Sequence, residues 1–384
     1  MKYFITTILL LFTIIAFAQD SLLMRKTVDT LTSQYFWGRG YTNNGMLKAA
    51  DFIAATFKEY NVKPLNGKKY FQNFSYPVNT FPGKMEVSIN GNKLVPGVDF
   101  IIAPDSKGVY ATGELVKADS VTYIDKQNKI IVKAEKKLTW SVAGEAANFT
   151  TILLDKTRLN NQPDKITASI ENKLIKSFKA ANVCGIVPGT QYTDSIIFIT
   201  AHYDHLGGMG SNTYFPGAND NASGVTLLLS LAKYYAANPQ PYSIGFICFA
   251  GEEAGLIGSK YYVEHPVKPL QNIVFLLNTD LAGTGSDGIT IVNATEFTKQ
   301  FGYMQDINKN KKYFAAVNAR GKAANSDHYF FTEKGIPSFF MYTMGGIAAY
   351  HDVLDKAETL PLNEMQDLYR FIIEFNYRLM GKQD

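Results

Sequence analysis

The sequence predicts an α/β fold of three layers, helices on both faces of a mixed central sheet, with a small β-rich insert, and three observations carry that reading. Short apolar runs such as Ile196-Ile197-Phe198-Ile199-Thr200 and Ile244 to Phe249 have the composition of strands buried on both faces. These runs alternate with segments of helical period, of which Ser223 to Ala236 places Val225, Leu228, Leu229 and Ala232 on one face. Between Pro77 and Pro163 the pattern changes to short alternating strands, such as Met85 to Ile89, closed by the turn pair Asn90-Gly91 and resumed at Lys93-Leu94-Val95.

At the N-terminus, Lys2 precedes an apolar run from Ile5 through Phe17 that ends in Ala16-Phe17-Ala18 and then Gln19-Asp20. This is the pattern of a secretory signal peptide over residues 1–18, with cleavage after Ala18. The run is shorter than the ~20 apolar residues that cross a bilayer, so the mature chain is expected to be exported, periplasmic or extracellular, with no stable membrane span.

Residues 19–76 and 164–384 are expected to form the main domain and residues 77–163 the insert. Leu47, Ala50, Ile53, Ala54 and Phe57 share one face of a helix. From Lys165 onward the α/β alternation begins, with Ile166 to Ile170 as its first strand. Further strands are expected at Ile273 to Leu277, Gly288 to Val292 and Ser338 to Tyr342, and a closing helix from Leu362 to Leu379.

A net charge of +4 over 384 residues, with no long Lys/Arg run, gives no electrostatic footprint for nucleic acid. Cys184 and Cys248, the only cysteines, both lie in apolar strand patterns and read as free buried thiols.

Acidic and imidazole side chains fall at the ends of the apolar strands. His202 and Asp204 follow Ile196 to Thr200, Glu252 and Glu253 follow Ile244 to Phe249, and Asp280 follows Ile273 to Leu277. Asp220 stands in a loop just before a helix, and His351 follows the last strand through a glycine-containing loop. Open α/β sheets gather ligands outside the carboxyl ends of their strands, so these residues can converge.

Imidazole and carboxylate without thiolate suits zinc, and a carboxylate can bridge two ions. If Asp220 bridges, one zinc takes His202 and Asp280 and the other takes Glu253 and His351. Glu252 is then left beside the site as a general base. Asp204 is expected to accept the second ring N–H of His202 and fix its tautomer. His205 reads as structural. Ser326-Asp327-His328 reads equally as a helix start or as a support for the ligands.

Ala201-His202-Tyr203-Asp204, Pro216 to Val225, Gly251-Glu252-Glu253, Asn278-Thr279-Asp280, Ser326-Asp327-His328 and Tyr350-His351 together resemble the M28 family of zinc peptidases. The resemblance implies an aminopeptidase acting on peptides or small proteins with two Zn2+, the ligand set above, and Tyr350 as hydrogen-bond donor to the developing oxyanion. Family members often carry Asp after the bridging residue, where Asn221 stands here. The insert lies where many relatives carry a protease-associated domain, and is expected to be a lid or a reduced module of that kind. Glutaminyl cyclases, which share the fold with one zinc, carboxypeptidases and non-catalytic members are the rival functions.

Overall fold

The computed structural model describes residues 21–158 and 162–381. The expected signal peptide lies outside the described residues. Nine strands build the main sheet: β1 (Lys63–Pro64), β2 (Phe71–Thr80), β3 (Lys173–Val187), β4 (Tyr192–His202), β5 (Tyr242–Phe249), β6 (Ile273–Thr279), β7 (Gly288–Val292), β8 (Val317–Arg320) and β9 (Ser338–Met344). Their order is β1-β3-β5-β4-β6-β9-β7-β8, with β2 also paired to β3. The four central strands β5, β4, β6 and β9 are parallel, and β3 and β7 run antiparallel to them on either side. The mixed sheet is as the sequence predicts.

Alternation along β4 explains the layers. Ile197 and Ile199 face the core formed with helices α1 (Gly45–Glu59), α2 (Gly224–Ala237), α4 (Thr298–Lys311) and α6 (Met365–Leu379). Ile196 and Phe198 face the opposite core, under α3 (Ile257–Glu264) and α5 (Tyr329–Glu333). With both faces covered, every residue from Ile196 to His202 is buried, and the strand has no polar period. Cys184 and Cys248 are free, and they belong to these two opposite cores, so adjacent strands hold them on different faces of the sheet.

Two expectations need correction. Leu47 is 58% exposed, and α1 buries Met46, Ala49, Ala50, Ile53, Ala54 and Phe57 instead. The apolar arc is rotated by one residue because Met46 and Ala49 complete it on the other side. The strand Lys165–Ile170 is not the first of the α/β alternation. It pairs with Met85–Ile89 and Val109–Glu114 in a four-stranded sheet, and its half-buried alternation suits that position.

That sheet and a five-stranded one spanning Phe100 to Asp155 enclose a second core, which runs from Phe81 to Ile170 and takes in Leu206, Met209 and Phe215 from the main domain. Among the described residues no helix is long and apolar enough to cross a membrane.

Candidate metal centre

The carboxyl ends of β4, β5, β6 and β9 deliver the acidic and imidazole side chains to one place. His202 is the last residue of β4, Glu252 and Glu253 lie in the turn between β5 and α3, and Asp280 follows β6 directly. Asp220 sits in the wide turn Ala218–Ser223 that opens α2, out of helical conformation at φ −109° and ψ 98°, with a cis peptide to Asn221. Gly217, at φ +60°, allows this approach, since a Cβ there would overlap the Asp220 carbonyl oxygen and the His205 ring.

Asp220 is the centre of the cluster. Its Oδ1 lies 3.3 Å from His202 Nε2, and its Oδ2 lies 3.2 Å from His351 Nε2. Asp280 Oδ1 stands 3.3 Å from His202 Nε2, and Glu253 Oε2 stands 3.0 Å from His351 Nε2. A tetrahedral zinc with bonds of about 2.0 Å sets its ligand atoms about 3.3 Å apart, so these separations suit two ions sharing one carboxylate.

The protonation pattern fits a cation too. His202 Nδ1 donates to the Asp204 carbonyl at 3.1 Å and His351 Nδ1 to the Trp140 carbonyl at 2.8 Å, which leaves both Nε2 lone pairs facing the cluster. Asp280 Oδ1 and His351 Nε2 are buried without a hydrogen-bond partner, so these atoms lack what a metal would supply. The set of imidazoles and carboxylates fits zinc.

The charges press in the same direction. Burial disfavours an imidazolium at His351, yet contact with Asp220 and Glu253 reverses this and raises it to about 11. Burial likewise raises Glu252 well above the carboxylate range, with Glu253 adding to the effect and His202 opposing it. The cluster is thus short of positive charge. Glu252 also has a carboxylate oxygen within 4.8 Å of ligand atoms of His202 and Asp280.

The support of the ligands differs from the expectation at Asp204. Its carboxylate is 3.8 Å from His202 Nδ1 and instead accepts from the backbone N–H groups of Glu252 and Glu253 at 3.2 and 3.4 Å. Because β4 ends at His202, the chain turns under the ring and presents the Asp204 carbonyl to it, which frees the side chain to hold the Glu252-Glu253 turn. Burial, opposed by His202, raises Asp204 to about 7.

His205, read from the sequence as structural, is placed 2.7 Å from Glu253 Oε1 through Nδ1. Ser326 Oγ donates to Asp280 Oδ2 at 3.3 Å and accepts from Asn278 Nδ2 at 2.8 Å, so the Ser326-Asp327-His328 run supports a candidate ligand as well as leading into α5.

Two residues beneath the site gave no sequence signal. Arg39 is fully buried and donates to the carbonyls of Tyr203, Leu31, Pro216, Gly217 and Asp220. Burial lowers its pKa to about 10, against the pull of Asp220 and Asp355, so it stays charged at neutral pH. Asp355 accepts from the N–H groups of Asn219 and Asp220 at 2.8 and 3.0 Å. Asp220 is therefore gripped at both its N–H and its carbonyl.

Above the cluster lies a cavity of about 330 Å³, with His202, Asp220, Glu252 and Asp280 at its base and Phe340, Tyr342 and Tyr350 on its walls. A neighbouring cavity of about 310 Å³ shares Leu281, Tyr342 and Tyr350 and is lined further by Met344, Ile347 and Ala348. Tyr350 is 51% exposed and stacks on His351 at 3.8 Å between ring centroids.

Comparison with known proteins finds aminopeptidases among the relatives of this chain. The aminopeptidase YwaD of Bacillus subtilis is 27% identical over 251 residues, 61% of this chain and 53% of that protein. A probable leucine aminopeptidase of Arthroderma otae is 30% identical over 229 residues, 56% of this chain and 62% of that protein. The aligned part thus spans between half and two thirds of these relatives. The solved structure of a zinc aminopeptidase from Bacillus subtilis superposes with a TM-score of 0.70 at 20% identity, covering 92% of this chain and 94% of that one. The aminopeptidase of Aneurinibacillus sp. strain AM-1 superposes with a TM-score of 0.65 at 18% identity, covering 93% of each chain. The profile of peptidase family M28 matches residues 182–376, half of the chain and the stretch that carries every candidate ligand, and the chain belongs to that family.

Proposed function

We propose that this chain is an exported metallopeptidase with two zinc ions that removes residues from the N-termini of peptides or small proteins. The observation that carries the reading is the Asp220 carboxylate, whose two oxygens face two different imidazoles at 3.3 and 3.2 Å. One ion would be held by His202, Asp280 and Asp220, the other by His351, Glu253 and Asp220. Zinc, when bound there, supplies a Lewis acid for the scissile carbonyl and lowers the pKa of water.

The residues of the chain then divide the remaining work. Glu252, raised in pKa by burial, takes the proton of the attacking water and passes it to the leaving amine. Tyr350 donates its hydroxyl to the developing oxyanion from the cavity wall. Asp204 holds the backbone of Glu252 and Glu253 in place, and so acts through them. Removal of N-terminal residues, rather than cleavage elsewhere, is supported by the names of the relatives; export is supported by the sequence of residues 1–18.

The test is hydrolysis of short peptides with free or acetylated N-termini by the zinc-loaded mature protein, beside Glu252→Gln. Cleavage of free peptides alone, lost in the variant, is the expected result. Cleavage of acetylated peptides would assign another peptidase specificity, and cyclisation of N-terminal glutamine without peptide cleavage would assign a cyclase.

A further inference from the structure

The cavity above the metal centre carries one fixed positive charge among its lining side chains. Arg320 ends the edge strand β8, its backbone held in register by Val292 and by the Ala294 N–H donating to its carbonyl at 3.1 Å. Its side chain lines the same 330 Å³ cavity as His202, Asp220 and Glu252. Among the described residues it makes no ion pair, and its one side-chain hydrogen bond is a long 3.4 Å one from Nη1 to the Tyr342 hydroxyl. A guanidinium has five N–H donors in a fork that matches a carboxylate, so most of this one's capacity is uncommitted.

We infer that Arg320 is a specificity-determining residue that receives a carboxylate of the substrate on the leaving-group side of the scissile bond. The inference rests on the metallopeptidase reading of the site. Arg320, itself exposed, lines the cavity at whose base that reading puts the scissile carbonyl, and a residue of extended chain advances by about 3.5 Å, so a cavity of this size sets the guanidinium on the order of one or two residues from that carbonyl. Of the carboxylates at the floor, Asp220 and Asp280 are committed to His202, His351 and Ser326, and Glu252 is the proton carrier of the same reading, which leaves a substrate carboxylate as the partner that arrives from solution. The carboxylate comes from one of two sources: the C-terminus of a dipeptide, or an acidic side chain just after the cleaved bond.

Four substrates separate the sources: Leu-Leu, Leu-Leu-amide, Leu-Glu-amide and Leu-Gln-amide, each with the zinc-loaded mature protein and with Arg320→Ala and Arg320→Lys. An ion pair with this exposed guanidinium is expected to favour the carboxylate-bearing member of a pair by about two- to fivefold in kcat/KM. The ratio falls towards unity in Arg320→Ala, mainly through KM, and returns in part with Arg320→Lys. Preference for Leu-Leu over its amide identifies the C-terminus as the source, and preference for Leu-Glu-amide over Leu-Gln-amide identifies the side chain.

Calorimetric binding of Leu-Leu and Leu-Leu-amide, and of Leu-Glu-amide and Leu-Gln-amide, to the zinc-loaded Glu252→Gln protein gives the same comparison without turnover. A carboxylate preference in binding that disappears when Arg320→Ala is added supports the inference. Equal treatment of both members of each pair, or a preference that survives Arg320→Ala, overturns it and leaves the peptidase reading standing. Absence of hydrolysis of all four substrates by the unmutated protein overturns the peptidase reading, and the binding comparison then decides on Arg320 separately.

Discussion

His205 donates from Nδ1 to Glu253 Oε1 at 2.7 Å, and the other oxygen of Glu253 stands 3.0 Å from His351 Nε2. One carboxylate is thereby split between a neighbour that orients it and the position where a metal would sit. His205 acts through Glu253, with a longer 4.0 Å approach to Asp220. Partners of this kind are worth about 10- to 100-fold in metal affinity. His205→Ala is therefore expected to weaken one of two zinc equivalents by about that factor, which a chelator-competition titration resolves. Two equivalents of unchanged affinity would return His205 to a packing role.

Glu252→Gln keeps the shape of the side chain and removes its ability to carry a proton. Loss of a general base lowers kcat by about 10²- to 10⁴-fold, and zinc content by elemental analysis should stay at the unmutated level. Loss of a zinc equivalent would instead make Glu252 a ligand.

Arg39→Met removes the guanidinium from five carbonyls, that of Asp220 among them, of which Gly217 keeps the Ala222 N–H. Breaking a buried charged network costs about 3–5 kcal/mol, and denaturant unfolding at fixed free zinc should show a loss of that order. A loss below about 1 kcal/mol would mean that water replaces the guanidinium.

His328 gives stability a pH dependence. Burial holds it down at about 4, with backbone carbonyls of Ser326 and Ala323 opposing, against an unfolded value near 6.5. Between those values the unfolded chain binds the extra proton, so stability is full above pH 6.5 and is lost as pH falls towards 4. From pH 7 to pH 5 the loss from this group is about 2 kcal/mol. His328→Gln should remove that portion of the slope, as measured by the difference between the two proteins' unfolding free energies at each pH.

The central strands were legible because burial on both faces leaves an unbroken apolar run, as in Ile196 to Thr200. The candidate ligands were legible because they follow those strands directly. Lys165–Ile170 was misplaced because an alternating strand announces one buried face and not the sheet it joins. Leu47 was misplaced because an amphipathic helix fixes its face only to within about one residue. Arg39, Asp355 and the carbonyl of Trp140 were invisible for a different reason. Each works through backbone groups far away in the chain, and a backbone donor or acceptor has no letter in the sequence.

Trp140 belongs to the smaller core, where its ring stacks on Phe215 at 4.6 Å and its Nε1 donates to the Ile102 carbonyl, yet its own backbone brackets His351. His351 sits at φ +56°, a conformation that costs a non-glycine residue about 1–3 kcal/mol and persists only where neighbours impose it. The smaller core joins the main sheet between Thr80 and Lys173, which pair across β2 and β3, so a tight turn could replace it with little disturbance to that sheet. Such a trimmed protein would keep the strand pairing, uncover Leu206, Met209 and Phe215, and lack a fixed tautomer at its last imidazole. What looks like a removable appendage is part of the smallest unit able to present His351 in the conformation found here.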